Sequence, residues 1–126
     1  MALESMTNLA EILNRVGDVA EFADIEVTDP NTQGLFQNRP LHIAAVWGDC
    51  EAINALVEAG AEVDASGEHG FTPLMEAAAQ GHVEACKLLI ALGATAVANH
   101  DGQIPSECAA ASGKNLLSSW LAAHRF

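Results

Sequence analysis

Five histidines and three cysteines are the side chains of this 126-residue chain best suited to metal or nucleophilic chemistry. A zinc site needs three or four such ligands at fixed spacing. His69 and His100 stand in loop-like segments without a third partner, and His124 lies near the terminus. Cys50, Cys86 and Cys108 show no paired spacing; an odd count points to free thiols in a reducing compartment, packed as small apolar residues. There is no glycine-rich phosphate loop, no zinc-protease helix motif and no nucleophile elbow. A Cys-His-Asp set assembled in space leaves an enzyme as a remote alternative. No cofactor or metal is expected, and the chain reads as one that presents a surface.

Charge narrows what that surface meets. Seventeen acidic residues stand against five basic ones, a formal charge of −12. Between Arg39 and Lys87 there is no Lys or Arg, whereas Asp49, Glu51, Glu58, Glu62, Asp64, Glu68, Glu76 and Glu84 all occur there. Such a field repels nucleic acid and steers in a basic protein. No apolar run approaches the ~18 residues of a membrane span, and no leader with a cleavage site is seen, so a cytoplasmic monomer is expected.

The elements that must carry this surface are repeated. Arg39-Pro40-Leu41-His42-Ile43-Ala44-Ala45-Val46-Trp47-Gly48 recurs as Thr72-Pro73-Leu74-Met75-Glu76-Ala77-Ala78-Ala79-Gln80-Gly81 and as Ile104-Pro105-Ser106-Glu107-Cys108-Ala109-Ala110-Ala111-Ser112-Gly113. The prolines fall 33 and then 32 residues apart. In the middle copy Thr72 is placed to cap a helix that has proline in its first turn and Gly81 as its stop. A second helix follows, with Val83, Ala85, Cys86, Leu88, Leu89 and Ile90 on its apolar face. The same face returns in copy one as Cys50, Ala52, Ile53, Ala55, Leu56 and Val57, and in copy three as Leu117, Trp120 and Leu121. Asn115 and Ser118 give the last helix a wetter outer side, as in a terminal cap.

Thr72-Pro73-Leu74, the Ala-Ala pairs, Gly81-His82, Leu88-Leu89-Ile90, Leu92-Gly93-Ala94, Pro40-Leu41-His42-Ile43-Ala44-Ala45 and Gly60-Ala61-Glu62-Val63-Asp64-Ala65 resemble the ankyrin repeat. The resemblance implies an all-α solenoid of helix-turn-helix pairs with projecting hairpin fingers, in repeats of about 34–66, 67–99 and 100–126. Residues 1–33 then form a degenerate N-terminal capping repeat in the same continuous domain. There, Asn8 and Glu11, then Asp18 and Glu21, have capping-box spacing and suggest a helix pair. Met1 to Ser5 precede any signal, so Met6 is an equally good start. His42 and His82 occupy family positions where a ring nitrogen ties turns together. Gln37 replaces the glycine of Gly70 and Gly102, and Arg39 and Ile104 replace the capping threonine, so the outer copies are expected to be less stable. The third finger is one residue short.

Within such a fold, partner contacts come from the fingers and first helices. Carried over, these are Leu35, Phe36, Asn38, Val46 and Trp47 for the first repeat. The second gives Ser66, Glu68, His69, Phe71, Ala79 and Gln80, and the third His100, Asp101, Gln103, Ala111 and Ser112. Phe36, Trp47 and Phe71 are candidate apolar anchors, with Asp29, Asp64 and Glu68 as an acidic rim. The resemblance implies a non-enzymatic module holding one protein partner, and the charge suggests an inhibitor or immunity-type protein of a basic partner. The alternative is an adaptor that recruits its partner without inhibiting it.

Overall fold

The computed structural model describes residues 2–126, with side chains from Leu9 onward. The Asn8 cap and the choice between Met1 and Met6 therefore fall outside the described side chains. Seven α-helices and no strand occur among the described residues: α1 (Ala2–Gly17), α2 (Pro40–Trp47), α3 (Cys50–Glu58), α4 (Pro73–Gln80), α5 (Val83–Ala91), α6 (Pro105–Ala111) and α7 (Asn115–Ala123). Short 3₁₀ turns lie at Ala20–Phe22 and Glu68–Gly70. Helices α2, α4 and α6 pack on one another as an inner row, while α1, α3 and α5 form an outer row; α7 packs mainly on α6.

Local chemistry sets these boundaries. Pro40, Pro73 and Pro105 open the inner helices, where a missing N–H costs nothing. Gly48 and Gly81 close α2 and α4 in left-handed conformation, at φ 68° and 82°. Gly48 is required twice over, because the His82 ring lies where a Cβ would stand. Ala44, Ala45, Ala77, Ala78 and Ala109 are fully buried, so the inner helices pack closely; Ile53, Leu56, Leu74, Leu89 and Leu121 fill the space behind them.

The caps differ from copy to copy. Thr72 Oγ1 accepts the Met75 N–H at 3.3 Å, as its sequence position predicts. Where threonine is missing, the residue three places on reaches back instead: the Arg39 N–H donates to His42 Nδ1 (2.9 Å) and the Ile104 N–H to Glu107 Oε1 (3.1 Å). The outer copies thus satisfy a different orphan donor of the same helix end. Ser106, where the other copies carry leucine, is buried: its N–H donates to the Phe126 carbonyl and its carbonyl accepts from Ser118 Oγ. Ser118 therefore faces α6 and not the wet side.

The N-terminal unit departs from the expected helix pair. One long helix, α1, supplies Ile12, Leu13 and Val16 to the core; after it comes only the 3₁₀ turn, with Phe22 buried beneath. Asp24 then turns the chain away at φ 62°. Glu21 does not cap a second helix. Its carboxylate is spent on the first finger, and that choice shapes the site.

Candidate functional site

Three finger tips repeat one backbone closure. The N–H of Gly34 donates to the Asn38 carbonyl, that of Gly67 to Phe71, and that of Asn99 to Gln103, at 2.7, 2.8 and 2.9 Å. The residue missing from finger three is lost ahead of its tip, since the closure spans the same length in all three; within the tip, Asn99 Oδ1 accepts the N–H groups of Asp101 and Gln103 (both 3.0 Å). The last residue but one of each tip is left-handed: Gln37 at φ 73°, Gly70 at 75° and Gly102 at 78°. Gln37 adopts glycine's conformation with a side chain attached, a strained state of order 1 kcal/mol.

Each tip is registered on its predecessor. The Leu35 N–H donates to the Glu21 carbonyl, the Glu68 N–H to Asn38 Oδ1 and the His100 N–H to the His69 carbonyl (2.7, 3.1 and 3.0 Å). Nearer the finger bases, Asn31 Oδ1 accepts the Glu62 N–H and Asp64 Oδ1 accepts the Thr95 N–H. The 3₁₀ turn around Glu21 thus stands in for a finger that the degenerate first repeat lacks. Glu21 is buried at 8% exposure, and its carboxylate accepts the Phe36 N–H and the Asn38 side-chain amide.

The finger-tip candidates are brought into one row. Leu35 and Phe36 are each 57% exposed; Ser66, Glu68, His69, His100 and Asp101 are exposed; Asn38, Phe71 and Gln103 are half-buried. Phe71, a candidate anchor, is less exposed than Phe36, and its carbonyl accepts from the Gly67 N–H and the His42 ring. A second row lies at the far ends of the inner helices: Val46 and Trp47, Ala79 and Gln80, Ala111 and Ser112. Trp47 is 39% exposed, and the Arg15 guanidinium sits 5.1 Å above its ring while bonding Asp49 at 2.7 Å. The cation–π contact orders the indole from the α1 side.

Between the rows lie two equivalent, half-buried positions that sequence reasoning missed, Ile43 and Glu76, whereas their counterpart in the third repeat, Cys108, is buried. Glu76 is half-buried, and burial first, then the charge of Glu68, pushes its carboxyl above the usual range. The signal in the sequence is a lone carboxylate in an alanine-rich helix. Burial likewise raises the Cys86 thiol to about 12, and burial, then Glu107 and Glu76, the Cys108 thiol to about 11. Neither is a nucleophile at neutral pH.

The histidines divide as the resemblance implies. His42 is buried; with Nδ1 accepting from Arg39, its Nε2–H donates to the carbonyls of Phe71 and Ala65 at 2.9 and 3.0 Å. Burial lowers its pKa, partly offset by those two carbonyls. His82 Nε2 reaches back to the Val46 carbonyl at 2.8 Å. His69 lies 3.5 Å from Glu68, and no group of three metal-ligating side chains occurs among the described residues.

Comparison with known proteins agrees with this geometry. The family model described as "Ankyrin repeats (3 copies)" matches residues 6–99 and 41–124. Protein phosphatase 1 regulatory subunit 27 of mouse is 37% identical over 96 residues, 75% of this chain and 60% of that protein. The human protein of the same name is 33% identical over the same shares. Ankyrin repeat domain-containing protein oryK of Aspergillus oryzae is 44% identical over 54 residues, 43% of this chain and 9% of that protein. The chain therefore spans about 60% of the length of its first relatives.

Proposed function

The chain belongs to the ankyrin-repeat family, and we propose that this member holds one basic protein partner against its finger tips and inner helices, as an inhibitor that covers the partner's working surface. The observation that carries the reading is the co-location of exposed Leu35 and Phe36 with the acidic second tip, in a chain of net charge −12. Long-range attraction orients a basic partner, and apolar contact then holds it. Arg39, beside the first finger, is paired with Glu62 at 3.1 Å, and Arg15, at the far ends of the inner helices beside Trp47, is paired with Asp49. Each pair cancels one acidic charge, so the surplus rests on the remaining carboxylates, Glu68 of the second tip among them. The contact residues carried over from the family remain the proposed footprint, in one domain whose repeats run about 34–66, 67–99 and 100–126. No helix among the described residues is long and apolar enough to cross a membrane.

The test is direct. The partner captured from source cells is purified and titrated with the chain at low and high salt, and its own activity is assayed. A basic partner, an affinity that weakens with salt and a loss of activity are expected. A neutral or acidic partner, or salt-independent binding, sinks the electrostatic part of the reading.

A second reading is favoured by the relatives that carry the name protein phosphatase 1 regulatory subunit. On it, the chain is an adaptor that positions a phosphatase without blocking it. Binding of purified protein phosphatase 1 catalytic subunit with turnover of a small substrate unchanged would support the adaptor; no binding at micromolar concentration removes it.

A further inference from the structure

We infer that the first finger is a preformed apolar prong, Leu35-Phe36, shaped by the buried Glu21 carboxylate and built to enter an apolar pocket with a basic rim on the protein partner. This rests on the binding reading above and assigns it a centre.

Internal repetition supplies the control. The positions of Leu35 and Phe36 are occupied by Glu68 and His69 in finger two and by His100 and Asp101 in finger three. The three tips share one closure and a left-handed last residue but one, and finger two adds a second left-handed residue, His69 at φ 58°, in the place of Phe36. Tip geometry therefore does not demand apolar side chains, and polar residues fill the same places elsewhere. Both residues of the pair are 57% exposed. Adjacent large apolar side chains in water at a tip that can be built from polar ones are the signature of a contact surface.

The support beneath the prong is unusual among the tips. The Glu21 carboxylate is buried, and its two oxygens bond the Phe36 N–H and the Asn38 amide, while its backbone carbonyl takes the Leu35 N–H. Gly34 leaves room for this side chain, since a Cβ there would collide with Glu21. The Leu35 and Phe36 N–H groups and the Asn38 amide are thus all satisfied from one residue of the 3₁₀ turn. Asn38 passes the register on through the Glu68 N–H, which sets the acidic second tip beside the prong. A partner that receives Leu35 and Phe36 meets Glu68 next, so its pocket is apolar within and basic at the edge. Ordering the prong before binding removes part of the entropy that association costs.

Glu21 is a positioning residue. In Glu21→Gln the new side-chain amide would point a donor at the Asn38 donor; flipping Asn38 would face its N–H₂ against the Glu68 N–H instead. The experiment places a photoreactive phenylalanine analogue at position 36, at 80 on the inner-helix row, and at 119 on α7, within the full chain in source cells. The captured protein is then purified for titration.

We expect a crosslink at 36, roughly 30-fold weaker binding by Phe36→Ser and by Leu35→Ser, as for hot-spot residues, and unchanged melting, since both side chains are exposed. Glu21→Ala, which removes both acceptor oxygens, should speed hydrogen exchange of the Phe36 amide while amides of α4 and α5 keep their protection, a readout that general destabilisation would not confine to the tip. A partner crosslinked at 80 whose affinity Phe36→Ser leaves within twofold overturns the prong and spares the binding reading. No crosslink at any position and no complex overturns both. An unchanged Phe36 amide in Glu21→Ala overturns the role of Glu21.

Discussion

Replacing His42 by leucine tests whether one buried ring couples the first repeat to the second finger. Leucine roughly keeps the volume and deletes the polar bonds. The Phe71 carbonyl retains the Gly67 N–H at 2.8 Å, so it is not orphaned. The Ala65 carbonyl loses its bond in a buried contact, and the Arg39 N–H loses its bond in a partly buried one. An unmet buried group costs about 1–3 kcal/mol, the partly wet one nearer ~1. Gained apolar contact offsets a little, leaving a net loss of roughly 2–3 kcal/mol. For a chain of this length that lowers Tm by roughly 10 °C. Urea melts followed by circular dichroism measure it, and a loss below about 1 kcal/mol with unchanged slope would refute the coupling. The pH arm is independent. Because burial holds the folded pKa of His42 below 6.5, the unfolded chain takes its proton first. Wild-type stability should therefore fall as pH drops below about 6.5 toward the folded pKa, and His42→Leu should lack that component.

Three further outcomes follow from the same geometry. Gly70→Val should cost about 2 kcal/mol or more, because φ is 75° and its Cβ would stand 2.5 Å from the His100 ring and 2.8 Å from its backbone nitrogen; a urea midpoint within error of wild type would contradict the finger geometry. Glu76→Gln should raise stability at pH 7: a carboxyl whose folded pKa is raised favours folding only when protonated, so variant and wild type should converge as pH falls below its unfolded value. Calorimetry across that range decides it. Arg15→Gln should cost under about 1 kcal/mol, since the Arg15 side chain is 54% exposed, and the difference should shrink in 1 M salt. The same variant should weaken the acid limb contributed by Asp49, whose pKa is depressed chiefly by Arg15; that stability is present above the usual carboxylate range and is lost as pH falls through the folded pKa.

The repeat was legible because its signals are local. Proline at the first helical position, a left-handed glycine at the end and an apolar face at helical spacing each act within a few residues, and the 33-residue period multiplies them. Thr72, Gly48 and Gly81 act as those rules require. What escaped depends on residues far apart in sequence. Glu21 carries a capping-box spacing, yet its carboxylate serves Phe36 and Asn38, which lie 15 and 17 positions on. The reach-back caps of His42 and Glu107 are visible only once the absence of threonine is read together with the residue three places later. Exposure of Leu35 and Phe36 is set by what no neighbouring repeat covers, which no periodicity reports. Trp47 looked free, and Arg15 of a different helix lies across it.

The two seams between the three clear repeats are not built alike. Across the first, His42 bonds forward to Ala65 and Phe71, and His82 bonds back to Val46. At the matching places of the second stand Met75, which has no such donor, and Lys114, whose methylenes lie over Gly81. The second seam keeps its finger links, of which the Asp64–Thr95 pair is exposed to water. In a one-dimensional array, opening starts where the nearest-neighbour term is smallest. Under heat or load, the second of these two seams should open before the first, releasing α6 and α7 while the second finger stays joined to the first repeat.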